Sequence, residues 1–157
     1  MPATRDRIYQ ASDLAGSARK EFIADALHSR ARLRSTDGDS LVMLREARLE
    51  HVAAIRDYAV AYLTLDTAMK RARDDRRASD YGPWAFIGVF DDDDIDEFLQ
   101  EVNEAIVRAA SGEDHSAVDD LVRQWQMSAR TLSDPVAREI LTGRTEPSDW
   151  VEVSGQD

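Results

Sequence analysis

At 157 residues, 43% of them hydrophobic, the chain has material for one small core or two modest ones. It has no cysteine, which excludes disulfides and thiolate metal sites, and no stretch approaches the roughly 18 uninterrupted apolar residues of a membrane span. The formal net charge of −11 is unevenly divided: residues 1–80 carry 15 Lys/Arg against 13 Asp/Glu, residues 81–157 carry 5 against 18. A near-neutral half with clustered arginines can contact phosphates, and an acidic half suits a basic protein partner. The plainer account of the acidic half is that it keeps the protein soluble. The opening Met-Pro-Ala-Thr-Arg-Asp-Arg lacks the apolar core of a secretory signal, so a cytoplasmic protein is expected.

In chain order, residues 8–11 form a short apolar strand, and Ser12 is a good N-cap for a helix beginning at Asp13. Leu14, Ala18, Phe22, Ile23, Ala26 and Leu27 recur at helical spacing and predict one buried stripe. Residues 31–36 alternate weakly between apolar and polar, as a half-buried strand does. Asp37-Gly38 signals a tight hairpin, because glycine readily takes the positive φ such turns demand. Residues 41–44, Leu-Val-Met-Leu, read as a buried strand.

The spacing predicts a long helix over 46–73, with Leu49, Val52, Ala53, Ile55, Ala59, Tyr62, Leu63 and Met69 buried. It frays into the polar segment 70–77, and Gly82-Pro83 breaks any helix. Residues 84–90 have the length of a strand or of a buried loop. The run Asp91 to Asp94 suits the first turn of a helix, whose stripe is Ile95, Phe98, Leu99, Val102, Ile106 and Val107. Ser111-Gly112 ends it. A further helix carries Val118, Leu121, Val122, Trp125 and Leu132, and Pro135 interrupts it before a last amphipathic stretch over 136–141. Residues 144–157 read as tail.

The joint spacing of strand, Ala-Ser-Asp-Leu helix start, amphipathic helix, strand, Gly-containing turn and strand over residues 6–55 resembles the prevent-host-death (Phd/YefM-like) antitoxins. That resemblance covers a third of the chain. It implies an α+β fold: a small sheet-and-helix domain over 1–75 that dimerises and binds DNA, an acidic helical partner-binding region over 76–143, and a tail over 144–157. It further implies an antitoxin that neutralises a cognate protein toxin and represses its own operon as a homodimer on operator DNA.

By the same resemblance the candidate DNA contacts are Arg5, Arg7, Ser12, Ser17, Arg19, Lys20 and Arg34. Helix-start N–H groups and nearby cations favour phosphate. The family often has arginine just after the helix start, where this chain has Ala15 and Gly16, and its hairpin arginine falls on Ser35, beside Arg34. The competing reading of Arg19, Lys20 and Arg34 is a solvated face. Residues 125–141 resemble the family's toxin-embracing segment, which makes Leu121, Trp125, Leu132, Ile140 and Leu141 the candidate toxin-binding residues. Packing against the 95–107 helix is the alternative for that stripe. Residues 70–115 form an insertion that short members of the family lack.

No cofactor, membrane or catalytic role is expected. Consecutive carboxylates at 91–94 point in different directions, whereas hard-cation loops use spaced ligands around a Gly turn. His28, His51 and His115 have no Cys partner and no His-x-x-x-His spacing. No Gly-rich phosphate loop occurs, and Asp114-His115-Ser116 is adjacent only in sequence. A second reading of the whole chain is a non-enzymatic dimeric helical adaptor, or a stand-alone regulator without a toxin.

Overall fold

Strand β1 (Ile8–Gln10) runs parallel to β2 (Ala31–Arg34), and β2 runs antiparallel to β3 (Ser40–Met43), giving the sheet order β1-β2-β3. A parallel neighbour cannot be reached by a hairpin, so the chain crosses over between β1 and β2. The crossover is a 3₁₀ turn (Ala11–Ala15) followed by helix α1 (Ala18–His28). Ser12 therefore lies inside the 3₁₀ turn and does not cap a helix beginning at Asp13. The Gln10 N–H donates to Asp13 Oδ2 at 2.9 Å instead, and α1 starts afresh beyond Gly16. Ser35, expected in the strand, belongs to the turn: its Oγ and carbonyl accept from the N–H groups of Asp39 (3.0 Å) and Gly38 (3.1 Å), with Gly38 at φ 91°. The computed structural model describes residues 7–135.

The strand register sorts this unit into two faces. Tyr9, Leu33 and Leu41 form one cross-strand row and Ala31 and Met43 the next, on the side where α1 packs. Ile8, Arg32 and Val42 lie on the opposite face, with Gln10, Arg34 and Ser40 beside them. Tyr9, Phe22, Ala26 and Ala31 are the fully buried members of this core, with Leu14, Ala18 and Leu33 partly buried around them. Ile23 and Leu27, placed in the stripe by their spacing, are exposed. So is β3, contrary to its expected burial. It is one of the two sheet edges, and an eleven-residue helix seated on β1 and β2 leaves it bare.

Helix α2 (Glu46–Met69) follows, and the chain's two compact units, Met1–Ala54 and Ile55–Asp157, divide within it. Its later half belongs to the second unit through Ala61, Leu65 and Ala68, spaced i, i+4, i+7 along one face. Leu49, Val52 and Leu63, expected to be buried, are 57–60% exposed. The helix is apolar on more than one side, and the side with alanines permits the closest approach.

Beyond α2, Ala78–Val89 is two 3₁₀ stretches kinked at Gly82 (φ 59°) and Trp84, not a strand. It delivers Tyr81, Trp84 and Ile87 into the core. Helices α3 (Asp92–Ala110) and α4 (Ser116–Ser133) complete the unit. α3 buries Ile95, Phe98, Leu99, Val102, Ala105 and Ala109, while Val107 is exposed. Phe98 is fully buried, with Trp84, Phe86 and Trp125 edge-on around it at 5.1–6.0 Å. Burial of each such large side chain contributes roughly 1.5–3 kcal/mol.

The polar segment 70–77 is less solvated than its composition implies. The Arg76 side chain is 6% exposed, and its guanidinium donates to Asp92 Oδ1 (2.9 Å), the Met69 carbonyl (3.2 Å) and the Arg71 carbonyl (2.9 Å). Arg73 donates to the same Asp92 oxygen at 2.7 Å and to the Phe90 carbonyl at 2.9 Å. One cation thus satisfies a carbonyl at the end of α2 and anchors the first turn of α3. Hydrogen bonding from Arg76 holds the Asp92 carboxyl below its ordinary value of 3.8. A carboxyl depressed in the fold stabilises it above the ordinary value, and that contribution is lost as pH falls through the lower folded value. Asp92 is 44% exposed, so solvent screens the effect. We expect Asp92→Asn to lower the urea midpoint at pH 7 and to narrow its fall between neutral and acid pH. Identical pH dependence in the two proteins contradicts this role for the pair.

Candidate functional site

In the N-terminal unit the expected nucleic-acid contacts gather around the start of α1. Ser12 and Ser17 are exposed, Ser17 stands at the N-cap position without a side-chain cap bond, and Arg19 and Lys20 follow exposed in the first turn. The arrangement joins a helix start to two cations, an environment favourable to an anion. Arg34 lies opposite Gln10 in the register, hence at the same end of the sheet, but on the face away from α1. Arg7 is committed within the fold: it pairs with Glu21 of α1, and its guanidinium lies 4.5 Å from the centre of the Tyr9 ring. Hydrogen bonding from Arg7 to Glu21 also raises the pKa of the guanidinium. Arg5 lies outside the described residues.

Tyr9 is the group that sequence spacing did not single out. Its hydroxyl donates to Asp25 Oδ2 at 2.6 Å, and that hydrogen bond raises the phenol pKa, keeping it a donor at neutral pH. The signal available in the sequence was a lone aromatic in a three-residue strand, which says nothing of a partner sixteen positions on.

In the C-terminal unit the expected toxin-binding stripe is turned inward. Leu121, Trp125 and Leu132 pack against the unit's own core. The Trp125 ring meets Phe90 at 5.1 Å and Phe98 at 5.5 Å, and its indole N–H donates to Glu101 Oε2 at 2.9 Å. Ile140 and Leu141 lie outside the described residues. Between α3 and α4 a groove of about 420 Å³ has Ala105, Ala117 and Leu121 among its walls and Glu101, Glu104 and Asp120 along its margins. A second groove, about 520 Å³, lies between Phe86, Val89 and the last turns of α4. Burial raises the Tyr58 phenol pKa, and its hydrogen bond to Asp119 of α4 raises it further.

The acidic run at 91–94 has its carboxylates in structural use at two positions. Asp91 caps α3, accepting from the Asp94 N–H at 2.9 Å, and Asp92 is held by the two arginines. No family model, curated protein or solved structure matches this chain.

The packing of Trp125 sets an expectation for its replacement. Trp125→Phe keeps an aromatic ring against Phe98 and removes the donor to Glu101, so it should cost about 1 kcal/mol by urea unfolding. A variant as stable as the parent argues that this hydrogen bond is dispensable.

Proposed function

We propose that the chain is an antitoxin: a non-enzymatic protein that binds and neutralises a cognate protein toxin and, as a homodimer, represses its own operon. The observation that supports this reading is the sheet of residues 8–43. Strand, crossover helix and hairpin fall at the positions on which the resemblance to prevent-host-death antitoxins rests, with all three strands joined. DNA would meet the start of α1 with Ser12, Ser17, Arg19 and Lys20, and Arg5 precedes β1 in sequence; Arg34 lies at the same sheet end on the other face, and Arg7 would have to leave Glu21 to join them. The toxin would meet the acidic C-terminal unit.

A specific observation favours the second reading, a dimeric helical adaptor or stand-alone regulator. Leu121, Trp125 and Leu132 already pack within their own unit, so a toxin that embraced them would have to displace α4. A toxin engaging α3 and α4 as they stand would instead meet acidic margins and exposed apolar groups such as Val107 and Met127.

Two measurements separate the readings. Co-expression with the protein of the adjoining gene should rescue growth from that protein's toxicity, and a harmless neighbour that does not co-purify removes the antitoxin reading. Mobility shift on the chain's own promoter should weaken steeply with salt. Replacing Arg19 and Lys20 together by Ala should reduce the log–log salt slope by about 2, near 0.9 for each phosphate left unneutralised. An unchanged slope excludes this surface from DNA.

A further inference from the structure

At the end of α4 the backbone turns extended at Asp134 (φ −77°, ψ 118°), as a residue before proline prefers, and Pro135, the last described residue, is helical again. An extended aspartate followed by proline is a common helix opening: a capping carboxylate, then a first position that needs no N–H. The sequence beyond continues the pattern. Val136, Ala137, Ile140 and Leu141 fall on one side of a helical projection, Arg138, Glu139 and Thr142 on the other, and Gly143 is a helix stop. Residues 135–142 are well short of the roughly 12–15 at which an isolated helix holds in water. The apolar side of so short a helix needs a surface.

One adjoins it. The groove of about 520 Å³ is walled by Phe86 and Val89 on one side and by Gln126, Ala129, Arg130 and Ser133 on the other. The α4 residues are spaced i, i+3, i+4, i+7, which is one face of the helix. Asp134 completes the lining, so the groove reaches the residue from which the segment departs. Its volume falls within the roughly 300–1,000 Å³ of sites that enclose a ligand-sized group. Phe86 is only half-buried there, and Val89 is 48% exposed.

Charge separates this groove from the one between α3 and α4. Residues 136–157 carry 2 Lys/Arg and 5 Asp/Glu. The α3–α4 groove opposes such a segment with Glu101, Glu104 and Asp120 against Arg108 alone. Here the charged members are Arg130 and Asp134, one of each sign.

We propose that residues 135–142 form a short helix that seats Val136, Ile140 and Leu141 in this groove, so that the chain closes its own second unit. A connection of one residue, Asp134, holds the segment beside the groove and makes the seat intramolecular. The seat stands independently of the antitoxin reading and adds one condition to it: a toxin that uses Ile140 and Leu141 has first to draw the segment out.

The absence of cysteine supplies the test on the full-length chain. The thiols of Ile140→Cys and Leu141→Cys should react with a maleimide at least about tenfold more slowly than those of Arg138→Cys and Thr142→Cys, because a seated position reacts only on local opening. In urea all four should react alike. Val89→Asp puts a charge in the wall at an exposed position and should abolish the difference, while Val107→Asp, similarly exposed on α3 and outside the groove, should preserve it. Equal native rates at the four positions overturn the proposal, as does protection that Val89→Asp leaves untouched. Protection lost on dilution assigns the groove to a second copy, and protection that appears only when the protein of the adjoining gene is added assigns it to a partner; either result overturns the intramolecular seat. A harmless neighbour removes the antitoxin reading and leaves the slow thiols as they are, so the two failures are distinguishable.

Discussion

The N-terminal unit depends on Tyr9, which is 1% exposed, stands edge-on to Phe22 at 5.2 Å and donates its hydroxyl to Asp25. A three-residue strand has little pairing energy of its own, and parallel pairing is slightly less stable per residue than antiparallel. β1 stays on the sheet because one side chain joins it to the crossover helix by an apolar body and a polar tip. Arg7 reinforces this from outside, over the ring and paired with Glu21 on the same helix. Because the anchor is at β1, α1 settles over β1 and β2 and its cover runs out before β3. The bare edge is thus a consequence of where the unit is pinned.

The C-terminal unit solves the opposite problem, a surplus of apolar residues on a chain of high negative charge. Its 3₁₀ segment cannot form a continuous ladder of α-helical bonds across Gly82 and Pro83, yet it inserts Tyr81, Trp84 and Ile87 into the core. Arg76 makes the corner around it feasible. Its nearly buried guanidinium has carbonyl and carboxylate acceptors, so the desolvation that otherwise penalises a buried cation is offset by charge-assisted hydrogen bonds.

What could be read in the sequence follows from how many elements compete for each apolar residue. The hairpin was legible because Asp37-Gly38 admits few backbone conformations, and α3 because one clean stripe follows a run of helix-starting acids. α2 was legible as a helix but not as a packed one. Leu63 and Leu65 are equally apolar, and only the positions of Ala61 and Ala68 decide which side approaches the core. Residues 84–90 misled because a continuous apolar run has no period by which to tell strand, 3₁₀ turn and buried loop apart. The stripe of α4 shows the same limit at the level of function. Leucines and a tryptophan at helical spacing fit a partner's groove and a neighbouring helix equally well, and Trp125 finds its ring partners in Phe90 and Phe98.

The geometry of the first unit also constrains any use of it on nucleic acid. Of the expected cations within the described residues, Arg7 is paired with Glu21 and Arg34 lies on the other face of the sheet, leaving Arg19 and Lys20 beside the start of α1. Two side-chain cations and one helix start release few counterions, and a site that small binds weakly at physiological salt. The 23 acidic residues of the second unit add a repulsion that the first unit's own charges do not offset. Any two such sites engaged on one duplex would make the second engagement intramolecular, and for a site this small that gain outweighs what one further basic residue would add.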